Sequence, residues 1–142
     1  MTTPEEAEIN NVFKEIDDRK LLTSGELKTR KNNILQKMLF ERNELKNYHK
    51  LLNNYRYVDE IDELRYGSYI RWFNISKPKS LKLLNGGFIV DIKNVNDNII
   101  ILCKNSLNKF FNLKMGESII FQKNTKQEDI LIKILDHLKD SD

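Results

Sequence analysis

Five runs within residues 66–122 decide the fold: YGSYIRWFN at 66–74, GGFIVDIK at 86–93, IIILCK at 99–104, KFFNLKM at 109–115 and SIIFQ at 118–122. Each is short, rich in β-branched and aromatic residues, and bounded by polar or glycine clusters, which is the pattern of a strand. Asn94-Val95-Asn96-Asp97-Asn98 has the composition of a hairpin loop. Asn105-Ser106-Leu107-Asn108 turns the third run into the fourth, and Met115-Gly116-Glu117 turns the fourth into the fifth. A longer connection, 75–85, carries Lys77, Lys79 and Lys82. Short strands joined this tightly predict a small antiparallel barrel. A long first loop followed by three hairpins is the layout of an SH3-like barrel. The rival OB-fold carries a helix between its third and fourth strands, and four residues leave no room for one.

Upstream the period changes from two to that of a helix. Thr3-Pro4-Glu5-Glu6 combines a cap, a first-turn proline and a capping-box glutamate. Ile9, Phe13 and Ile16 then share one face, with Val12 beside them. Thr23 and Glu26 form a second capping box around the break at Gly25. The spacing predicts a helix from about Gly25 to about Tyr57, roughly 50 Å long at 1.5 Å per residue. Its heptad-like seam is Leu27, Lys31, Ile34, Met38, Glu41, Leu45, Tyr48, Leu52 and Tyr55, with Lys31 and Glu41 as polar defects. Such a seam predicts a coiled coil or helical hairpin that pairs with another copy or another protein. Leu35, Leu39 and Phe40 lie off it and mark a second contact face.

Downstream, Thr125 and Glu128 form a third capping box, and Ile130, Leu131, Ile134, Leu135 and Leu138 follow at helical spacing. The chain therefore reads as α+β in two parts. Residues 1–61 form a helical hairpin or coiled coil, and residues 62–142 a five-stranded antiparallel SH3-like barrel with a C-terminal helix.

Composition narrows the function. The 142 residues carry a net charge of +3, 32% of them are charged, and there is one cysteine. No apolar run approaches the roughly 18 residues of a membrane span. The acidic, polar start is not a secretion signal, so the expected setting is intracellular and reducing. The charge is uneven. Residues 62–123 hold ten Lys and Arg against five Asp and Glu, while residues 1–61 hold eleven of each. The barrel segment is the basic one.

Catalysis has little to stand on. His49 and His137 have no partner at metal-ligand spacing and read as surface histidines. Cys103 alternates with Ile99 and Ile101 and reads as a small buried hydrophobe. The carboxylate pairs Asp17-Asp18, Asp59-Glu60 and Asp62-Glu63 read as solvated charge. Gly86-Gly87 lacks the Lys-Ser/Thr of a phosphate loop and precedes a strand, so it reads as a bulge or tight turn. No catalytic residue, metal site or cofactor is expected.

The constellation that remains is basic and aromatic. If Ile70 and Trp72 point inward, Tyr69, Arg71 and Phe73 share the outer face of the first run. Phe110, Asn112 and Lys114 share the outer face of the fourth, while Phe111, Leu113 and Met115 face the core, as do Phe88, Val90 and Ile92. Rings between cations suit nucleic acid, because bases stack on rings and phosphates meet Lys or Arg. The candidate surface is Tyr69, Arg71, Phe73, Lys77, Lys79, Lys82, Phe110 and Lys114. The same set suits a protein groove, or packing against the helices.

Residues 64–138 also carry a resemblance. Tyr66-Gly67, Ile70-Arg71-Trp72, Asn85-Gly86-Gly87-Phe88, and Phe111 with Leu113-Lys114 resemble small uncharacterised proteins of the nucleocytoplasmic large DNA viruses, the giant-virus group. The Asn- and Lys-rich composition agrees. The resemblance implies a Tudor- or KOW-type barrel in a viral protein and brings no catalytic residue with it. The expectation is a non-catalytic binding or structural subunit of a viral assembly, with nucleic-acid binding in transcription or genome packaging as the alternative.

Overall fold

The computed structural model describes Thr3, Pro4, Glu6 and residues 22–140. The chain divides into two compact units, residues 1–30 with 124–142, and residues 31–123. The expected division at residue 61 falls inside the second of these. The predicted face of Ile9, Val12, Phe13 and Ile16 lies outside the described residues, although the capping box before it is present. There the Glu6 N–H donates to Thr3 Oγ1 at 3.1 Å.

Helix α1 spans Ser24–Lys37 and helix α2 spans Arg42–Leu51. The single helix predicted over 25–57 is thus two helices followed by a strand, β1, Tyr55–Val58. The break lies at Met38–Glu41. Met38 and Leu39 N–H donate to the carbonyls three residues back, and Leu39 takes the left-handed φ of 58°. Glu41 is the N-cap residue of α2, where a negative charge meets the exposed amide end of the helix dipole. One of the two seam defects is therefore a helix boundary.

Five further strands follow: β2 Tyr69–Asn74, β3 Gly87–Val95, β4 Asn98–Lys104, β5 Phe110–Lys114 and β6 Ser118–Lys123. All six lie in one antiparallel sheet of order β1-β6-β2-β3-β4-β5. The expected count of five is corrected by β1, which pairs with β6. The β3–β4 hairpin closes through Asn96 and Asp97, both at positive φ, as a two-residue turn matching the twist of its strands requires.

Two apolar layers sandwich part of this sheet. The first holds Val58, Leu64, Ile70, Trp72, Ile89, Ile101, Cys103, Leu113 and Ile120. The Trp72 and Phe111 rings stack across it at 5.3 Å. The second layer, on the other face, holds Leu35, Leu52, Phe73 and Phe121, with Ile34, Met38, Phe40, Leu45, Tyr48, Tyr55 and Tyr57 packed around them. Trp72 and Phe73 are consecutive and both buried because β2 has a core on each face. Gln122, also buried, holds the chain before β2. Its Oε1 accepts from the Arg65 N–H at 3.1 Å, and its Nε2 donates to the Glu63 carbonyl at 3.0 Å.

In the first unit, helix α3, Lys126–Asp140, starts with the predicted capping box. The Thr125 N–H donates to Glu128 Oε1 at 2.9 Å and the Glu128 N–H to Thr125 Oγ1 at 3.1 Å. Leu131 and Ile132 are its buried apolar side chains, whereas Ile130 and Leu138 are exposed. The predicted stripe is rotated accordingly. Asp136 accepts from Ser24 N–H at 2.9 Å and from Ser24 Oγ–H at 2.7 Å. Those bonds hold its carboxyl below the usual range and tie α3 to the start of α1.

Candidate functional site

The helical layer covers the face of β1, β6 and β2. The outer face of β3–β5 is the part of the sheet left to solvent. Register fixes which side chains stand there. Tyr69 lies opposite Phe88, Phe88 opposite Lys104, and Lys104 opposite Phe110. Directly opposed residues of an antiparallel ladder point to the same face, so these four form one row across four strands. The inward residues beside them, Ile70, Ile89 and Cys103, are fully or almost fully buried.

Within the row the Tyr69 and Phe88 rings meet edge to face at 5.0 Å. Lys104 Nζ stands 5.9 Å from the centroid of Phe110, within reach of a cation–π attraction. Phe88 is 47% exposed and Phe110 60%. Behind Tyr69 lies Gly86, where a Cβ would fall 2.1 Å from the tyrosine ring. A Cβ on Gly87 would fall 2.7 Å from the Phe111 ring. The glycine pair is thus explained by two rings lying against its backbone, one outside the sheet and one inside.

Two further rows continue the face. Asp91, Leu102 and Asn112 are opposed in the second, and Lys93, Ile100 and Lys114 in the third. Lys93 Nζ lies 3.7 Å from Asp91 Oδ2, and Lys114 lies 4.0 Å from Glu117. Exposed pairs of this kind are weak.

The predicted surface residues fall into three groups. Tyr69, Phe110 and Lys114 lie on this face. Lys77, Lys79 and Lys82 are exposed in the β2–β3 connection. Arg71 and Phe73 are spent elsewhere. Arg71 Nε donates to the Leu84 carbonyl at 3.1 Å, bracing that connection against β2. Phe73 is on the outer face of β2, as expected, but the helices bury it completely.

Sequence reasoning missed Phe88 and Lys104. Simple alternation puts Phe88, Val90 and Ile92 in the core. Instead Ile89 is buried, Phe88 and Val90 are exposed, and a bulge between Ile89 and Asp91 returns Ile92 to the inner layer. The available signal was Gly87. It faces inward because Phe111 occupies its place, so Phe88 must face outward.

The expected oligomer seam is largely internal. Ile34, Met38, Leu45, Tyr48, Leu52 and Tyr55 all belong to the second core layer. Leu27 is buried in the other unit. Lys31 is buried as well, and its Nζ donates to the Leu52 and Tyr55 carbonyls.

The remaining polar candidates are ordinary. Burial pushes the Cys103 thiol up to about 12, so at neutral pH it carries no useful thiolate. His49 is half-buried rather than exposed, with Nε2 3.1 Å from Asn32 Oδ1. Among the described residues no three His, Cys, Asp or Glu side chains are gathered as a metal ion would need. No described helix is long and apolar enough to cross a membrane. Set against protein-family models, curated proteins and solved structures, the chain matches none of them.

Proposed function

We propose that this protein is a non-catalytic binding module that takes a nucleic acid on the outer face of β3–β5. The observation that carries the reading is the row Tyr69–Phe88–Lys104–Phe110, two exposed rings on either side of a cation. The surplus of five positive charges in residues 62–123 supplies the long-range attraction. We read β2–β6 as an SH3-like frame. Strands β2 to β5 form a meander, a 3₁₀ turn at Met115–Glu117 precedes β6, and β6 returns to pair with β2. Strand β1 is then an addition at the β6 edge. The giant-virus resemblance of residues 64–138 agrees with a small subunit of viral transcription or genome packaging, working in a reducing intracellular compartment.

The test is an anisotropy titration of a labelled oligonucleotide over a salt series. Log affinity should fall linearly with log salt concentration. Lys104→Ala and Lys114→Ala should each reduce the slope by about one phosphate contact, roughly 0.7 for a single strand. No binding at low salt would remove the reading.

A second reading, assembly through the helices, keeps a narrower basis than the seam implied. It rests on Leu39, in the turn between α1 and α2, and Leu51 of α2, large apolar side chains that this segment still exposes. Light scattering tests it, and a single-chain molar mass at high micromolar concentration counts against it.

A further inference from the structure

Resting on the nucleic-acid reading, we infer that the ligand is single-stranded, with two bases turned out onto Phe88 and Phe110 and the phosphate between them at Lys104. Three observations support this. First, of the six described phenylalanines only Phe88 and Phe110 are exposed, and both stand in this row. The core did not lack room for rings: Phe73 and Phe121 are fully buried in it, with Phe40 and Phe111 packed alongside.

Second, the spacing excludes a stacked duplex. Phe88 and Phe110 are two strands apart, roughly 10 Å at about 4.8 Å per strand. Paired bases rise only about 3.4 Å per step, and their faces are covered by their neighbours. Rings this far apart meet base faces only when the bases are splayed, which a single strand permits at little cost. Lys104 then stands where the backbone linking two splayed bases must pass.

Third, the platform is braced before any ligand arrives. Tyr69 lies edge to face on Phe88 and close against Gly86, where no Cβ fits. Lys104 leans over Phe110. Pre-ordered rings lose less side-chain freedom on binding. Among the outward residues of the three rows, the lone carboxylate, Asp91, is one row away and lies beside Lys93, so the first row itself presents no negative charge to a phosphate.

The experiment uses the full chain with labelled oligothymidylate, oligouridylate and a DNA duplex of equal length at low salt. The single strands should bind at least about tenfold tighter than the duplex. The double variant Phe88→Ser/Phe110→Ser should lose about tenfold or more for each ring with its salt slope unchanged. Phe88→Tyr/Phe110→Tyr should restore most of the affinity. Amide shifts in the unaltered protein give an independent readout. On titration with oligothymidylate the largest should fall at Tyr69, Phe88, Lys104 and Phe110. Equal affinity for duplex and single strand, with the serine variant unaffected, overturns the stacking inference and leaves nucleic-acid binding standing. Shifts confined to other surfaces overturn it too. If neither form binds at low salt, both readings fall, and an apolar protein partner becomes the occupant to seek.

Discussion

Phe73→Ala should destabilise the protein by about 3–5 kcal/mol, the range for deleting a fully buried aromatic ring. The Phe73 ring is the point where the helices meet the sheet. Its centroid lies 5.4 Å from Phe40, 5.0 Å from Tyr48 and 6.0 Å from Phe121. Phe40 precedes α2, Tyr48 lies within it, and Phe121 is on β6. Truncation leaves a cavity that α2, the turn before it and two strands must close together. A urea melt would show it as a midpoint lower by roughly 2 M, for a slope of about 2 kcal/mol per M. Phe110→Ala is the control. That ring is exposed, and its loss should change stability by less than about 0.5 kcal/mol. A Phe73→Ala melt that matches the control would mean that the helices do not cover this face, and the seam residues would again be available to another chain.

The contrast between these two phenylalanines marks what the sequence could reveal. Alternation identified Ile70 and Trp72 as inward and Phe73 as outward, correctly. It could not say that outward means buried here, because the layer above β2 is built from residues 34–52, distant in the chain. The same blindness hid β1. Tyr55 to Val58 alternates like a strand, yet Tyr55 also continues the helical seam. Local pattern cannot choose between the two, and pairing with β6 does. The helix break had a visible sign in Glu41, the second of the polar seam positions Lys31 and Glu41. In a coiled coil they are defects, but here one contacts the end of α2 and the other begins it. Capping boxes were legible because their chemistry is local, as Thr125 and Glu128 show. The candidate site was half legible. Tyr69, Phe110 and Lys114 follow strand alternation, whereas Phe88 was hidden because the bulge between Ile89 and Asp91 puts the apolar Ile92 on the opposite face from it, against any period of two.

Lys31 shows how a polar residue at an apolar position can stabilise, and Lys31→Met should destabilise by about 3 kcal/mol. Its Nζ donates to the Leu52 carbonyl at 2.8 Å and to the Tyr55 carbonyl at 3.0 Å. Leu52 caps the C-terminal end of α2 and Tyr55 begins β1. The last carbonyls of a helix have no partners within it, and a cation there also meets the negative end of the dipole. Methionine preserves the length and apolar packing of the stem and removes the donors. Two carbonyls around a buried position then lose a charged donor, at about 1–3 kcal/mol each. Replacing a buried charge by a hydrophobe can instead be neutral or stabilising when the charge was poorly compensated, so the sign of the change is the test. A second readout is specific to the charge. Burial, and after it the Lys31 ammonium, hold the His49 imidazole below its ordinary pKa. In Lys31→Met the charge is gone and the burial remains, so His49 should titrate higher, closer to the usual value near 6.5. A destabilised variant with an unmoved His49 would point to lost packing alone. A variant at least as stable as the parent would show that Lys31 is a tolerated defect after all.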